Sequence, residues 1–298
     1  MAEPLGKETY LGYSIQASKG THNTSYSYIP FFSESLQPEP NWSILNFADK
    51  NDYQSKYFSA GKWVTGDVTL PLIPGATANI LTAIMTRDAD NQGKWLSFLL
   101  DCNQTVKKIT DAKVNSASFE FRAGEEARVT LNLTALLYET GSATGGSPNT
   151  GTPYIYQQAD WKVGFAGVSY VTKGSDTGIK ALTIDVDNGV DDPANGMRLR
   201  NSYAPLQLRN LSGPRVTATF DRDYTDNSLW TDFVAGTEFD MYFKLTSGSL
   251  SVTFITTRCI YESSGMNAPG TTEDETPESY TVRALGSVDG ATGPLQIT

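Results

Sequence analysis

Period-two alternation constrains this chain more than any other feature. Val129, Leu131, Leu133, Ala135 and Leu137 point one way along a run whose Thr130, Asn132 and Thr134 point the other. Phe239, Met241, Phe243 and Leu245 alternate with Asp240, Tyr242 and Lys244, and Leu250, Val252 and Phe254 alternate with Ser251 and Thr253. Successive strand side chains point to opposite faces, so such runs bury one face and wet the other, as in antiparallel sandwiches and barrels. Thr246-Ser247-Gly248-Ser249 reads as the hairpin turn between the last two, and Arg122–Glu126 as the turn between Ser116–Phe121 and Arg128–Glu139. The residue usage agrees: charged residues are only 19%, against about 25% in an ordinary domain, and Ser, Thr, Asn, 26 Gly and 15 Tyr take their place. A chain of 298 residues buries a large enough share of its surface to need no metal or disulfide staple.

Two segments read as helix. Ile80, Leu81 and Ile84 recur at helical spacing within Gly75–Met85. Thr225–Gly236 carries capping residues before the stripe of Leu229, Trp230, Phe233 and Val234, and Gly just past its end. The helices sit in matching places: Gly66–Leu72 precedes the first and Gly213–Phe220 the second, and each is followed by a strand, Trp95–Leu100 or Phe239–Leu245. Matching Leu36 and Val68 with Leu182 and Val216 gives similar loop-rich intervals, so the order of elements indicates an internal duplication. The expected organisation is a first unit over 1–140, a Gly/Ser/Thr/Pro linker over 141–153, a second unit over 154–262 and an acidic C-terminal arm over 263–298. Asn46–Ser59 and Val190–Leu211 are long for loops inside compact domains and are candidates for contacts.

The net charge is −10, from 23 Lys and Arg against 33 Asp and Glu. Binding to phosphate backbones needs clustered cations, and no basic cluster is present, which argues against an ordinary nucleic-acid binder. A surface that stays near DNA without holding it is compatible with this charge. No apolar run approaches a membrane span and no secretory signal is visible, so synthesis in the cytoplasm is expected. Cys102 and Cys259 sit in apolar runs and read as reduced, buried thiols.

Enzyme constellations are missing. The one histidine, His22, lies in a polar stretch with no orienting partner in view. There is no nucleophile elbow, phosphate loop or dinucleotide fingerprint. Asp185–Gly196 resembles a Ca²⁺ loop in its first Asp residues, but Val190 and Gly196 stand where such a loop needs Gly and Glu, so a strand end running into turns is the better reading. No catalytic residue, cofactor or metal is expected.

The strand Trp63–Leu72, short helix, strand and acidic-turned hairpin resemble the tail tube proteins of long-tailed bacteriophages. So do Ser116–Ala135, Val216–Phe220 leading to Leu229–Phe239, and the opening Ile29–Leu36. The resemblance covers roughly residues 28–262. It implies a mainly β fold of two tandem β-sandwich or half-barrel units, each with one short α-helix, whose inner sheets close into a β-barrel on oligomerisation. It implies a virion protein whose partners are itself, in trimeric rings of pseudo-sixfold symmetry stacked into a tube, and the tail tip and tail terminator proteins. DNA would pass through the lumen without specific binding, and no membrane would be involved. Three chains would carry −30 per ring, which suits sliding DNA. On this reading Asp49, Lys50, Asp52, Tyr53, Tyr57, Arg198, Arg200 and Tyr203 are inter-subunit or inter-ring candidates, and Asp67, Glu120 and Asp240 are lumen-facing candidates. The alternatives are a carbohydrate-binding, adhesin-like sandwich built on the Trp and Tyr residues, or another virion component such as a tail terminator or capsid decoration protein.

Overall fold

The computed structural model describes residues 9–22, 24–45, 56–101, 106–141, 146–149, 151–155, 159–164, 179–198, 202, 204–223, 228–266, 277–288 and 292–298. Among them fifteen strands join into one antiparallel sheet accompanied by two helices. The first strands are β1 (Tyr10–Gln16), β2 (Ser27–Ile29), β3 (Ser33–Glu34), β4 (Gln37–Leu45) and β5 (Lys56–Pro71), followed by α1 (Ala78–Met85). Then come β6 (Trp95–Asp101), β7 (Val106–Arg122), β8 (Arg128–Gly141) and β9 (Ala159–Gly164). The remainder is β10 (Ile179–Asp187), β11 (Arg215–Asp223), α2 (Ser228–Ala235), β12 (Phe239–Ser247), β13 (Leu250–Met266), β14 (Pro277–Ala284) and β15 (Leu295–Ile297). The mainly β reading of the sequence is therefore correct, and so are both hairpins: Gly124 and Gly248 take positive φ in the two turns, a conformation only glycine adopts cheaply.

The pairing pattern of the first half recurs in the second. β5 pairs with β8 as β11 pairs with β14; β6 pairs with β7 as β12 pairs with β13; β1 flanks β6 as β9 flanks β12. Even the bulges recur. Asp111 and Arg258, both at positive φ, are the extra residues where β7 and β13 slip against β6 and β12. Asn115 and Glu262 are the extra residues where the same strands slip against β8 and β14. These registers put Ala112 at the place of Cys259, Leu131 at that of Tyr280 and Val68 at that of Phe220. They also match Leu36 with Ile184 and Val64 with Val216, whereas sequence spacing pairs Leu36 with Leu182 and Val68 with Val216.

The helices occupy matching places after β5 and β11. α1 buries Ile80, Leu81, Ala83 and Ile84 as its spacing predicts. α2 ends at Gly236, which takes positive φ and donates its N–H to Phe233 O. Its stripe is only partly used: Leu229 is buried, while Trp230 and Val234 face outward. The capping residues 225–227 lie outside the described residues.

Within the segment expected as a linker, Asn149 N–H donates to Tyr28 O, and just after it Tyr154 is buried, donates its N–H to Leu72 O and accepts from Ala127 N–H. Within the segment expected as a C-terminal arm, Pro277–Ala284 and Leu295–Ile297 are strands of the sheet. β14 is an interior strand of the sheet, with Tyr280 and Val282 in the core, and β14 with β15 runs along one edge of β13 as β8 runs along β7. Ser279–Leu285 reads as a short strand-like run in the sequence, and the acidic run before it is what sets it apart from the second unit there. The core is aromatic where the halves meet: Phe119 and Phe121 of β7 lie edge-on to Phe254 of β13, with ring centroids 5.1 and 5.4 Å apart, and Phe121 packs on Phe243 of β12.

Candidate functional site

Directly opposed residues in a sheet share a face, so the registers show what each face displays. The ladder β5–β8–β7–β10–β11–β14–β13 is continuous. One face is apolar in every row that spans it: Val68, Leu131, Ala117, Val186, Val216, Ala284 and Cys259 stand in line, and the next row runs Leu70, Val129, Phe119, Ile184, Ala218, Val282 and Tyr261. That face is the core.

The other face is small and polar. One row reads Thr69, Thr130, Ser118, Asp185, Thr217 and Arg283 and ends on Ile260 of β13, and a second reads Asp67, Asn132, Ser116, Asp187 and Arg215. A third reads Arg128, Glu120, Thr183, Thr219, Thr281 and Ser263. The side chains bond laterally: Asn115 Nδ2 donates to Asn132 Oδ1 (3.0 Å), Asn132 Nδ2 to Asp67 Oδ1 (2.8 Å), and Ser118 Oγ to Asp185 Oδ1 (2.6 Å). No lysine stands in these rows. Of the arginines, Arg128 is held by Glu125 and Glu126 and Arg283 by Glu262, at 3.2, 3.1 and 2.5 Å. The face therefore shows mainly hydroxyls, amides and carboxylates, with its cations at the margins and partly neutralised.

Asp67 and Glu120, singled out from the sequence, both stand on this face. Asp240 does not: it lies on β12, outside the ladder, and its Oδ1 accepts the N–H of Arg258 at the bulge (2.9 Å). Asp185, Asp187 and Asp221 also stand on the face, yet they were absent from the sequence-based set. Their alternation with Leu182, Ile184, Val186 and Phe220 was the available signal. Of the contact candidates, Tyr57 is an exposed residue of β5 opposite Ile44, and Arg198 is exposed with its guanidinium donating to Asn195 O and Met197 O. Asp49, Lys50, Asp52, Tyr53, Arg200 and Tyr203 lie outside the described residues.

The Asp185–Gly196 loop spends its oxygens on turns. Asp187 accepts from Gly189 N–H, Asp192 from Ala194 N–H and Asp191 from Asn195 Nδ2. Among the described residues no cluster of three metal-ligating side chains occurs. His22 does have a neighbour, which its polar sequence context hid: Nε2 lies 3.8 Å from Oδ1 of buried Asp111. That oxygen already accepts from Gly20 N–H and Gln16 Nε2, so the carboxylate fixes a bulge and a turn. Cys259 is a free buried thiol whose pKa burial pushes up to about 12, far from the thiolate range a nucleophile needs. Cys102 lies outside the described residues.

Lys113 is the one strongly perturbed cation that the described residues bury. Nζ donates to Gln92 Oε1 (3.0 Å) and Asn210 Oδ1 (2.9 Å) and lies 4.7 Å from the Trp95 ring centre. Burial, with Arg87 nearby, pulls its pKa down to about 8. With Asn188, whose amide donates to Ile84 O and Val114 O, it ties the loop after α1 to the segment between β10 and β11. This is a structural polar network.

No helix among the described residues is long and apolar enough to cross a membrane. No curated protein matches the chain. A family model described as phage tail tube protein matches residues 6–284, which includes β14 and so reaches further than the resemblance seen in the sequence. That match covers nearly the whole chain, which belongs to the phage tail tube protein family and is a structural component of the virion tail.

Proposed function

We propose that three copies of this chain form a ring in which the β5–β8–β7–β10–β11–β14–β13 ladders join, through β3 and β4, into one closed β-barrel. The polar face would line the lumen, the rings would stack into the tail tube, and DNA would pass through during ejection. The observation that carries this reading is the pair of matched faces: an apolar face toward the core and, opposite it, a face mainly of hydroxyls, amides and carboxylates, across the six consecutive strands from β5 to β14. Closure removes sheet edges, and a wall with few free cations does not hold a phosphate backbone.

Recurrence of the pairing in the two halves supports the two-unit reading, and with it three chains acting as six units around the ring. Counting β3 with β4 as one, each chain brings eight strands to the wall, so three bring 24. At about 4.8 Å between strands and the usual tilt, that wall is about 45 Å across at the backbone, wider than a DNA duplex. Asp67, Glu120, Asp185 and Asp187 would face the lumen, and the loops around Tyr57 and Arg198 would contact neighbours in the ring or in adjacent rings.

The test is to replace Asp67, Asp185 and Asp187 together by Lys in the phage. These side chains lie on the solvated face, so the chain should fold and tubes should form, while genome delivery slows sharply and recovers with salt. Unchanged delivery through tubes of normal appearance would remove this face from the lumen.

A further inference from the structure

Within the chain, β10 fills one edge of β7: Asp187 opposes Ser116, Val186 opposes Ala117, Asp185 opposes Ser118 and Ile184 opposes Phe119. The internal repeat places the corresponding edge on β13, at Glu262–Met266, beyond the last residue paired with β12. Among the described residues no strand pairs with that edge. The counterpart of β10 in the first half is the β3–β4 segment: Glu34 opposes Val68 and Gln37 opposes Thr65, as Leu182 opposes Phe220 and Asp185 opposes Thr217. Its outer edge is likewise unpaired among the described residues. The described residues of a single chain thus hold one filled seam and the two halves of an unfilled one.

The two seams differ in their donors. In β10 the even-numbered residues aim their backbone at β7: Asn188 N–H donates to Asn115 O, and Lys180 O accepts from Ala123 N–H. Their counterparts on the outer edge of β3–β4 are Leu36, Pro38 and Pro40. Proline has no N–H, and Leu36 N–H is already taken by Oε2 of Glu34 (2.9 Å). This edge offers carbonyls and no free amide at three successive outward positions.

We infer that the β3–β4 edge of one chain pairs with the β13 edge of a second copy in the register of the β7–β10 seam, and that this inter-chain seam is one-directional. Glu39 opposes Ser263, Pro38 opposes Ser264, Gln37 opposes Gly265 and Leu36 opposes Met266 of the neighbour. Ser264 N–H and Met266 N–H donate to Pro38 O and Leu36 O, and nothing donates in return. The design keeps a free chain from closing on its neighbours by edge contact alone, since prolines and a capped amide blunt an exposed strand. Ring formation then depends on contacts beyond the seam. This inference rests on the ring proposed above.

The test mixes two variants, Glu39→Cys and Ser263→Cys, so that any disulfide joins different chains. Assembled rings under mild oxidation should convert most chains to linked pairs, whereas Glu39→Cys mixed with Ser264→Cys, whose side chain points to the other face, should not. A second arm uses Pro38→Val, which installs the residue found at the matching place in β10 and restores one donor. The concentration needed for assembly should fall about fivefold, the worth of one net hydrogen bond. Rings that form without the Glu39–Ser263 link, or a Pro38→Val threshold equal to or above that of the unaltered chain, would overturn this inference while leaving the ring itself standing. Absence of rings and of links at every concentration would overturn both.

Discussion

The two halves of the chain share a ladder but fill it differently, and the contrast shows which features belong to the backbone plan. Where β5 faces β8, Leu70 opposes Val129 in an apolar row. At the matching place β11 faces β14 with Arg222 opposite Glu278, both almost wholly buried. Arg222 Nε donates to Glu278 Oε2 at 2.8 Å, and the Tyr280 hydroxyl donates to Oε1 at 3.3 Å. The β5–β8 and β11–β14 registers run without a slip through both places, so this strand pairing does not require either chemistry. A hydrophobic pair and a buried ion pair both serve the same ladder.

The largest expected effect follows from that contrast. Arg222→Leu alone strands a buried carboxylate and should destabilise the fold by about 3–5 kcal/mol. Arg222→Leu with Glu278→Val, which copies the first half, should recover most of that loss or exceed the starting stability, read by denaturant unfolding. If the double variant is as unstable as the single one, the halves are not interchangeable at this site.

A smaller effect is expected two rows away. Gly66 holds φ +147, and a Cβ there would meet Ser35 O at 2.5 Å, whereas its counterpart Ala218 sits in ordinary strand geometry. Gly66→Ala should cost about 1–3 kcal/mol through backbone strain and displacement of Ser35. Ala218→Gly should cost about 0.5–1 kcal/mol from chain entropy. Equal losses would mean that the close approach of Ser35 is not a constraint.

Lys113 and its counterpart Ile260 give the smallest and most specific difference. Because its pKa is lowered from 10.5 to about 8 on folding, the unfolded chain holds the proton more tightly, so stability from this group rises with pH between about 8 and 10.5 and is flat below. Unfolding free energy should increase by about 1 kcal/mol from pH 8 to pH 9. Lys113→Met should flatten that rise. A slope that survives the substitution would assign it to another group.

The strands, both hairpins and the two helices were legible because each rests on local period and turn chemistry. The match between the halves was legible only as an order of elements. Sliding a strand by two or four residues preserves which side chains point inward, so Leu36 could be paired with Leu182 as readily as with Ile184. The registers that settle it are long-range pairings, and the bulges at Asp111 and Asn115 leave no mark in the hydrophobic pattern. The polar face was half legible: Asp67 and Glu120 lie on it because they alternate with core residues, whereas Asp240 alternates in the same way and yet stands on β12, outside the ladder. Membership of one face depends on which strands are neighbours, and alternation within a strand says nothing of that. β14 was legible as a short strand-like run, Ser279–Leu285, but the acidic run ahead of it set it outside the second unit, and its place between β11 and β13 is again a long-range pairing.

The central claim is that this chain closes into rings that stack as a tube, and electron microscopy of the purified protein across a concentration series, with image averaging down the tube axis, addresses it most directly. The account requires hollow particles whose wall repeats six times around the axis from three chains, with an axial repeat along longer tubes. A chain that stays monomeric at every concentration, or in the presence of tail tip components, would contradict it.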